Sequence, residues 1–419
     1  MKTNLFALIL ITISSIIIYR NSFYNFFTQD DFILTYHFSQ NNLTEDIINT
    51  LGPPQVTHWR PLHNLYFLIA GNLFDKNHLY YHLFTFLIHM GIAFLVFKIV
   101  GNITKNPKIA YISSFIYAVH PAHFVTLFWI SGSATTIGFL FLLISFYFYL
   151  FKRRSVALLF FLLALLSSEA MLVGLGLFIV YRYLIEKKKL IDKFTLAILI
   201  ESAIFGTVKF LYLTPKSTYQ AYQIKIWPEF FTNLKYYLLR VAGFGEASGD
   251  LVVSLILLGF LLFCCFNIYK KVEDFKLIVF AGVIILIGLF PFVLISNLSA
   301  HYMNISVFGL ALLISISLSK LRLTNTIAFL LIFLLLSFLN VRKTYQDHWV
   351  IKRSDLSEKY IHEIENANLP EGSTVVFNDN YISTSKEATI VLGAGKALDF
   401  WFKDKHYKVC FTWVENCSF

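Results

Sequence analysis

The chain has 419 residues, 57% of them apolar and only 14% charged, with a formal net charge of +10. A soluble protein of this composition would leave much of its apolar surface in water, which excludes a large water-soluble globular enzyme. The cations sit in short loops between apolar runs of about twenty residues, the pattern a bilayer demands, so the positive charge is assigned to topology and no nucleic-acid partner is expected.

Lys2 precedes an apolar run from Leu5 to Tyr19, and Tyr19-Arg20-Asn21 follows it without a small-x-small cleavage site, so an uncleaved anchor is expected. The apolar runs predict eleven membrane helices, near 4–20, 80–100, 108–125, 133–151, 155–168, 170–185, 192–213, 250–269, 276–296, 302–319 and 323–340. The pair 155–168 and 170–185 is short and reads as a re-entrant or kinked hairpin turning at Ser167-Ser168-Glu169. With the N-terminus in the cytoplasm, the cytoplasmic loops hold Lys105 and Lys108, Lys152 to Arg154, Lys187 to Lys189, Lys270, Lys271 and Lys276, and Lys320 and Arg322. The opposite short loops hold no Lys or Arg, in keeping with the positive-inside rule. An odd number of spans then puts the C-terminal segment outside.

Two extracytoplasmic loops are long. The first, about 20–79, contains an apolar segment at 62–74 that is too short to span and is expected to lie at the interface. The second, about 214–249, has an aromatic and basic stretch from Trp227 to Val241 of the same kind. These loops and the spans form a module over 1–345. The tail, 346–419, is expected to be a small extracytoplasmic α/β domain, with a helix at 352–367 and strands at Thr374–Phe377 and Lys408–Phe411. Gly393-Ala394-Gly395-Lys396 lacks the spacing of a phosphate loop and reads as a structural turn. Of the four cysteines, Cys264 and Cys265 lie in an apolar run, whereas Cys410 and Cys417 are candidates for a disulfide if the tail is outside.

Polar residues in apolar surroundings mark the candidate site. Asp30 and Asp31 follow the first span; adjacent carboxylates beside lipid are unfavourable unless solvated or used, and a partly desolvated one makes a general base or a metal ligand. His58-Trp59-Arg60-Pro61 comes next, with Pro61 fit to begin a helix and the Arg60 guanidinium suited to a phosphate. His120 and His123 are three apart and able to share a metal, but no Cys or third His stands close to them in sequence, and His78, His82 and His89 lie near the start of the second span. Pro121 disrupts that geometry, so packing of a polar helix end is the expectation. Glu169 interrupts an apolar run of some thirty residues, and an ionisable group there needs a partner or a wet cavity. His301-Tyr302 opens the tenth span. On the assigned topology all these groups gather at one membrane face.

In this order the residues resemble the GT-C glycosyltransferase superfamily, and within it the branch of protein O-mannosyltransferases and of transmembrane O-mannosyltransferases with tetratricopeptide repeats. The matching pieces are Asp30-Asp31, Trp59-Arg60-Pro61-Leu62, Tyr81-His82 with His89, His120-Pro121-Ala122-His123, Ser168-Glu169-Ala170, and Asn297 through His301-Tyr302 to Gly309. The repeats are absent. So are several charges of the family pattern, at Val125, Gly132-Ser133-Ala134-Thr135, Ser168 and His301.

The resemblance implies a GT-C-like bundle of about eleven spans that moves a hexose, mannose among the candidates, from a polyprenyl-phosphate donor to a hydroxyl of a lipid, glycan or protein acceptor at the outer face, with inversion. It assigns Asp30 or Asp31 as the base, Asp30 preferred, with Glu169 orienting sugar or acceptor. Arg60 and His301 meet the donor phosphate, and His58, Trp59, His82, His120, His123 and Tyr302 surround the substrate. No cofactor is required by this reading, and a divalent ion, Mg or Mn, is left open. Two other classes compete: a transporter or lipid flippase, which needs a polar path to both sides, and a non-catalytic membrane scaffold, indifferent to Asp30 and Asp31. Abundant Phe, Ile, Lys and Asn fit an AT-rich genome, and a bacterial inner membrane is the expected location.

Overall fold

The computed structural model describes residues 2–39, 42–53, 58–213, 223–224, 227–245, 259, 275–295, 298–378, 387–414 and 417. Helices cover ten of the eleven expected spans; the one near 250–269, with Cys264 and Cys265, lies outside the described residues apart from Gly259, as do Lys270, Lys271 and Asn297. Among the described residues six helical stretches are long and apolar enough to cross a bilayer: Phe6–Tyr24, His78–Thr104, Ile130–Leu150, Lys193–Leu213, Phe275–Val293 and Leu323–Asp347. Arg154–Ser167 and Asn304–Ser319 are shorter apolar helices.

The expected helix over 108–125 divides. Pro107–Ala118 stops ahead of Pro121, because a residue before proline is forced out of the helical region and His120 is extended. A 3-10 turn, Pro121–His123, and a short helix, Phe124–Phe128, follow. The second half of the hairpin is also broken, into a 3-10 turn Glu169–Val173, the helix Gly174–Val180 and a π-turn Tyr181–Ile185.

Between the spans, small and polar residues do the joining, as expected where lipid supplies no hydrophobic drive to helix contact. A Cβ on Gly309 would stand 2.8 Å from the Ala281 carbonyl oxygen, so glycine lets Asn304–Ser319 close on Phe275–Val293. Ser113 and Ser315 share a hydrogen bond of 2.6 Å, and the Tyr117 hydroxyl donates to Asn304 Oδ1 at 3.0 Å.

The first loop is more helical than its sequence indicated. Asp30–Ser39 and Leu43–Leu51 precede the expected Pro61–Phe74, which starts with Pro61 in its first turn. The Asn42 side chain caps Leu43–Leu51 by accepting from Glu45 N at 3.0 Å.

Among the described residues the tail holds the helix Trp349–Ala367, two strands, two short helices, Glu387–Val391 and Lys396–Trp401, and a 3-10 turn, Gly393–Gly395. The strands Thr374–Phe377 and Lys408–Phe411 pair in parallel, Thr374 with Lys408 through Phe377 with Phe411. Cys410 and Cys417 form a disulfide. The tail's core is shared with the first loop: Ile361, Val391 and Phe400 are buried with Phe26, Phe27 and Phe32. Residues 25–29 are extended or turned, so their backbone groups need outside partners. The tail supplies them. Ser354 Oγ accepts from Phe26 N and donates to Phe26 O, the Ser357 hydroxyl donates to Phe27 O, and Gln29 N donates to Val391 O at 3.0 Å. Gly393, at φ +55°, lies so close that a Cβ would meet Gln29 O at 2.8 Å. The chain entering Asp30 is thus fixed from the tail side.

Candidate active site

The two aspartates begin one helix, where carboxylates favour the positive end of the dipole, but they face different surroundings. Asp31 is buried. Its Oδ1 accepts from Ser131 N at 2.8 Å and Ser131 Oγ at 2.5 Å, and its Oδ2 from Thr28 N at 3.0 Å. Burial pushes its pKa up to about 7, against the hydrogen bonds from Ser131 and Thr28. Asp30 instead lines a polar cavity of about 350 Å³. The surrounding protein raises its pKa too, opposed by the charge of Arg60.

Arg60 stands just before Pro61, at the N-terminal cap of its helix. Its guanidinium grips Glu169 at both oxygens, Nε to Oε2 at 2.9 Å and Nη2 to Oε1 at 2.5 Å. Lys209 completes the cluster: its Nζ donates to Glu169 Oε2 at 2.9 Å and to the Trp59 carbonyl at 2.7 Å. Glu169 therefore has the partner its place in an apolar run demanded, and the trio of two cations and one carboxylate carries a net positive charge.

Beside the polar cavity lies a second, apolar one of about 450 Å³, walled by Leu172, Val173, Phe290 and Pro291 and reached by Glu169 and Lys209. The two cavities share His58 and Tyr302. Burial, with the charges of Arg60 and Lys209 and against that of Glu169, lowers the His58 pKa to about 3, so at neutral pH its ring is uncharged. Tyr302 stacks on Phe292 at 4.3 Å, and His301, bonded through Nδ1 to Ser299 Oγ at 2.6 Å, lines the polar cavity.

The other candidates lie elsewhere. Trp59 is turned onto Phe205, with ring centroids 6.2 Å apart, and borders neither cavity. His82 bridges the carbonyls of Leu127 and Asn25 at 2.9 and 3.0 Å. His120 contacts the Val241 carbonyl at 3.1 Å and accepts from Ala122 N, capping the turn that Pro121 creates. His123 is buried against His89 and Tyr117. Among the described residues no three His, Cys, Asp or Glu side chains converge as a metal site.

Sequence reasoning passed over Lys209, Gln29, Trp349 and Arg353, all but the first of which line the polar cavity. For Lys209 the signal was present: it is a cation inside the apolar run 192–213, and such a residue is a functional candidate by default.

No family model matches the chain, and no curated protein matches it in sequence. Among solved structures it is similar to the crystal structure of ArnT from Cupriavidus metallidurans bound to undecaprenyl phosphate, over 94% of this chain and 84% of that one, at 10% identity and a TM-score of 0.59. The likeness is one of fold. The chain is a polytopic α-helical membrane protein that shares the fold of the ArnT structure and carries a small C-terminal strand pair.

Proposed function

We propose that the protein is a membrane glycosyltransferase that takes a hexose, mannose being the family's expectation, from a polyprenyl-phosphate donor and passes it to a hydroxyl acceptor at the extracytoplasmic face. The observation that carries this reading is the meeting of a polar and an apolar cavity at His58 and Tyr302, with the cationic Arg60–Glu169–Lys209 cluster at their border. An amphipathic donor with a charged link between sugar and lipid matches that division: the isoprenoid in the apolar part, the phosphate at the cations, the sugar in the polar part. The ArnT structure holds undecaprenyl phosphate, which favours the same donor class.

In this reading Asp30 accepts the proton of the acceptor hydroxyl as its oxygen attacks the anomeric carbon. The bond to the phosphate oxygen breaks on the opposite side, the configuration inverts, and lipid phosphate leaves with the electron pair. A carboxylate whose pKa is raised is the better base. Asp31 fixes the loop rather than reacting, since its oxygens are engaged with Ser131 and Thr28. Arg60 and Lys209 offset the charge that grows on the leaving phosphate, with His301 and neutral His58 as hydrogen-bonding groups. One such preorganised contact is worth roughly 3–4 kcal/mol in comparable sites. Glu169 holds the two cations side by side.

The short-loop cations put the N-terminus in the cytoplasm, and the Cys410–Cys417 disulfide suits an oxidising exterior for the tail. A bacterial inner membrane fits both. The test is binding of undecaprenyl phosphate to the protein in nanodiscs, read as a rise in thermal midpoint. The native chain should bind saturably and Arg60→Ala at least about tenfold more weakly. No binding by the native chain, or equal binding by both, would count against the donor site.

A further inference from the structure

Four further side chains, Trp129, Trp349, Arg353 and Glu387, take no part in this mechanism, and the first three of them line the polar cavity. Trp349 and Arg353, on the helix Trp349–Ala367, border the polar cavity that holds Asp30 and do not border the apolar one. Arg353 is clamped by Glu387, Nε to Oε2 at 2.9 Å and Nη2 to Oε1 at 3.1 Å. Its guanidinium lies 5.3 Å from the ring centroid of Trp349. Trp349 in turn meets Trp129, another wall residue, edge to face at 5.4 Å. Trp349 and Arg353 thus present an indole and a guanidinium to the space beside Asp30, and Glu387, from the helix Glu387–Val391, holds the guanidinium without itself bordering the cavity.

Physical chemistry limits what such a wall recognises. The indole faces carry negative quadrupole charge and attract the weakly positive C–H bonds on one face of a sugar ring. The guanidinium, fixed in place by Glu387, offers donors to neighbouring hydroxyls. Because Glu387 compensates the charge of Arg353, the pair has no net attraction for an anion. The wall also lies on the side of the polar cavity built from the tail, away from the groove that suits a lipid.

From these contacts we infer that Trp349 and Arg353, the latter held and neutralised by Glu387, form the acceptor subsite, and that the acceptor is a neutral saccharide entering from the aqueous side. This inference rests on the transferase reading and names its acceptor class among lipid, glycan and protein. It makes the tail a specificity-determining part of the active site.

The experiment uses the full chain in nanodiscs. Saturation-transfer NMR is recorded with a panel of neutral disaccharides and tetrasaccharides, their uronic-acid counterparts, and serine-containing peptides. Undecaprenyl phosphate binding is measured on the same samples. Native protein should transfer saturation to the C–H protons of a neutral saccharide. Trp349→Ala should weaken that saccharide by about tenfold, and Trp349→Phe should restore most of the loss by keeping an aromatic face. Glu387→Gln uncovers the Arg353 charge and should move the preference toward the acidic saccharides by about three- to tenfold. Because Trp349→Phe keeps an aromatic ring and Glu387→Gln keeps the side-chain shape, a folding failure of Trp349→Ala alone does not decide the matter.

Binding of serine peptides in place of saccharides, or saccharide binding indifferent to all three substitutions, overturns the inference. So does the absence of any saccharide contact in a chain that binds the lipid phosphate, and that result leaves the transferase reading standing. Saccharide contact in a chain that fails to bind lipid phosphate leaves a saccharide site at this wall but removes the donor, and so overturns its role as an acceptor subsite together with the transferase reading.

Discussion

Removing the charge of Glu169 tests the cationic cluster with little change of shape. In Glu169→Gln the side chain keeps its length but no longer offsets Arg60 and Lys209. Arg60 Nε and Lys209 Nζ each lie 2.9 Å from the same oxygen, so they are no more than about 5.8 Å apart, twice that length. Two unit charges at that separation repel by about 3 kcal/mol at an effective dielectric of about 20. The cluster is only partly shielded from water, with side-chain exposures of 17% for Arg60, 20% for Glu169 and 2% for Lys209, so the net loss of stability should be near 3 kcal/mol, at the low end of about 3–5 for a broken buried pair. The assay is thermal unfolding of the purified protein, with and without undecaprenyl phosphate. Glu169→Gln should unfold earlier than native and gain more from the anionic lipid, which supplies the missing negative charge. Adding Lys209→Met should recover more than half the loss, because one cation then has no rival. A Glu169→Gln protein as stable as native, or a double variant less stable than the single one, would refute this electrostatic account.

Other consequences follow from the same geometry. The folded-state pKa of Asp31 is raised from its ordinary 3.8 to about 7, so its protonated form favours the fold. That contribution is fully present below about pH 4 and is lost as pH rises through about 7, so the stability gap between native and Asp31→Asn should shift over this window and stay flat outside it, as denaturation at stepped pH would reveal. Cys410→Ser opens a small disulfide loop and should cost roughly 2.5 kcal/mol at most, felt in the tail rather than in the spanning helices. On intact cells, Cys410 and Cys417 should resist an impermeant maleimide until a reductant is added and then react; labelling only after permeabilisation would reverse the assigned topology. Finally, because the working base must be ionised and Asp30 is shifted upward, transfer should fall with decreasing pH earlier than an ordinary carboxylate would cause.

The sequence was most legible where a single physical constraint dominates. Bilayer thickness imposed the spans, and Pro61 marked its helix start. The short runs Thr374–Phe377 and Lys408–Phe411 read as strands, and they pair. Asp30, Arg60, Glu169 and His301 stood out because ionisable and polar groups in apolar surroundings are expensive, and three of the four line one cavity while Glu169 holds one of those three, Arg60, in place.

What escaped depends on contacts distant in sequence. Lys209 was averaged away within an apolar run, and only the fold sets it on Glu169. Asp30–Ser39 and Leu43–Leu51 have mixed composition, and the first of them is secured by packing on Lys396–Trp401 and Pro61–Phe74. Asp30 and Asp31 are neighbours in sequence with equal claims to the role of base; the difference between them comes from Ser131, a hundred residues on. Arg353 belongs to the charged stretch 352–367 and Trp349 lies just ahead of it, and nothing in that stretch points to a cavity; the tail's packing on residues 26–29 sets both beside Asp30.

The central claim is transfer driven by Asp30 at the meeting of the two cavities. It is tested most directly by membranes containing the protein, supplied with radiolabelled polyprenyl-phosphate hexoses, comparing native chain with Asp30→Asn and Asp31→Asn at matched expression. The account predicts transfer by the native chain, a loss of about 10²–10⁴-fold in Asp30→Asn, and a smaller loss in Asp31→Asn that follows its stability. Native activity retained in Asp30→Asn would contradict it.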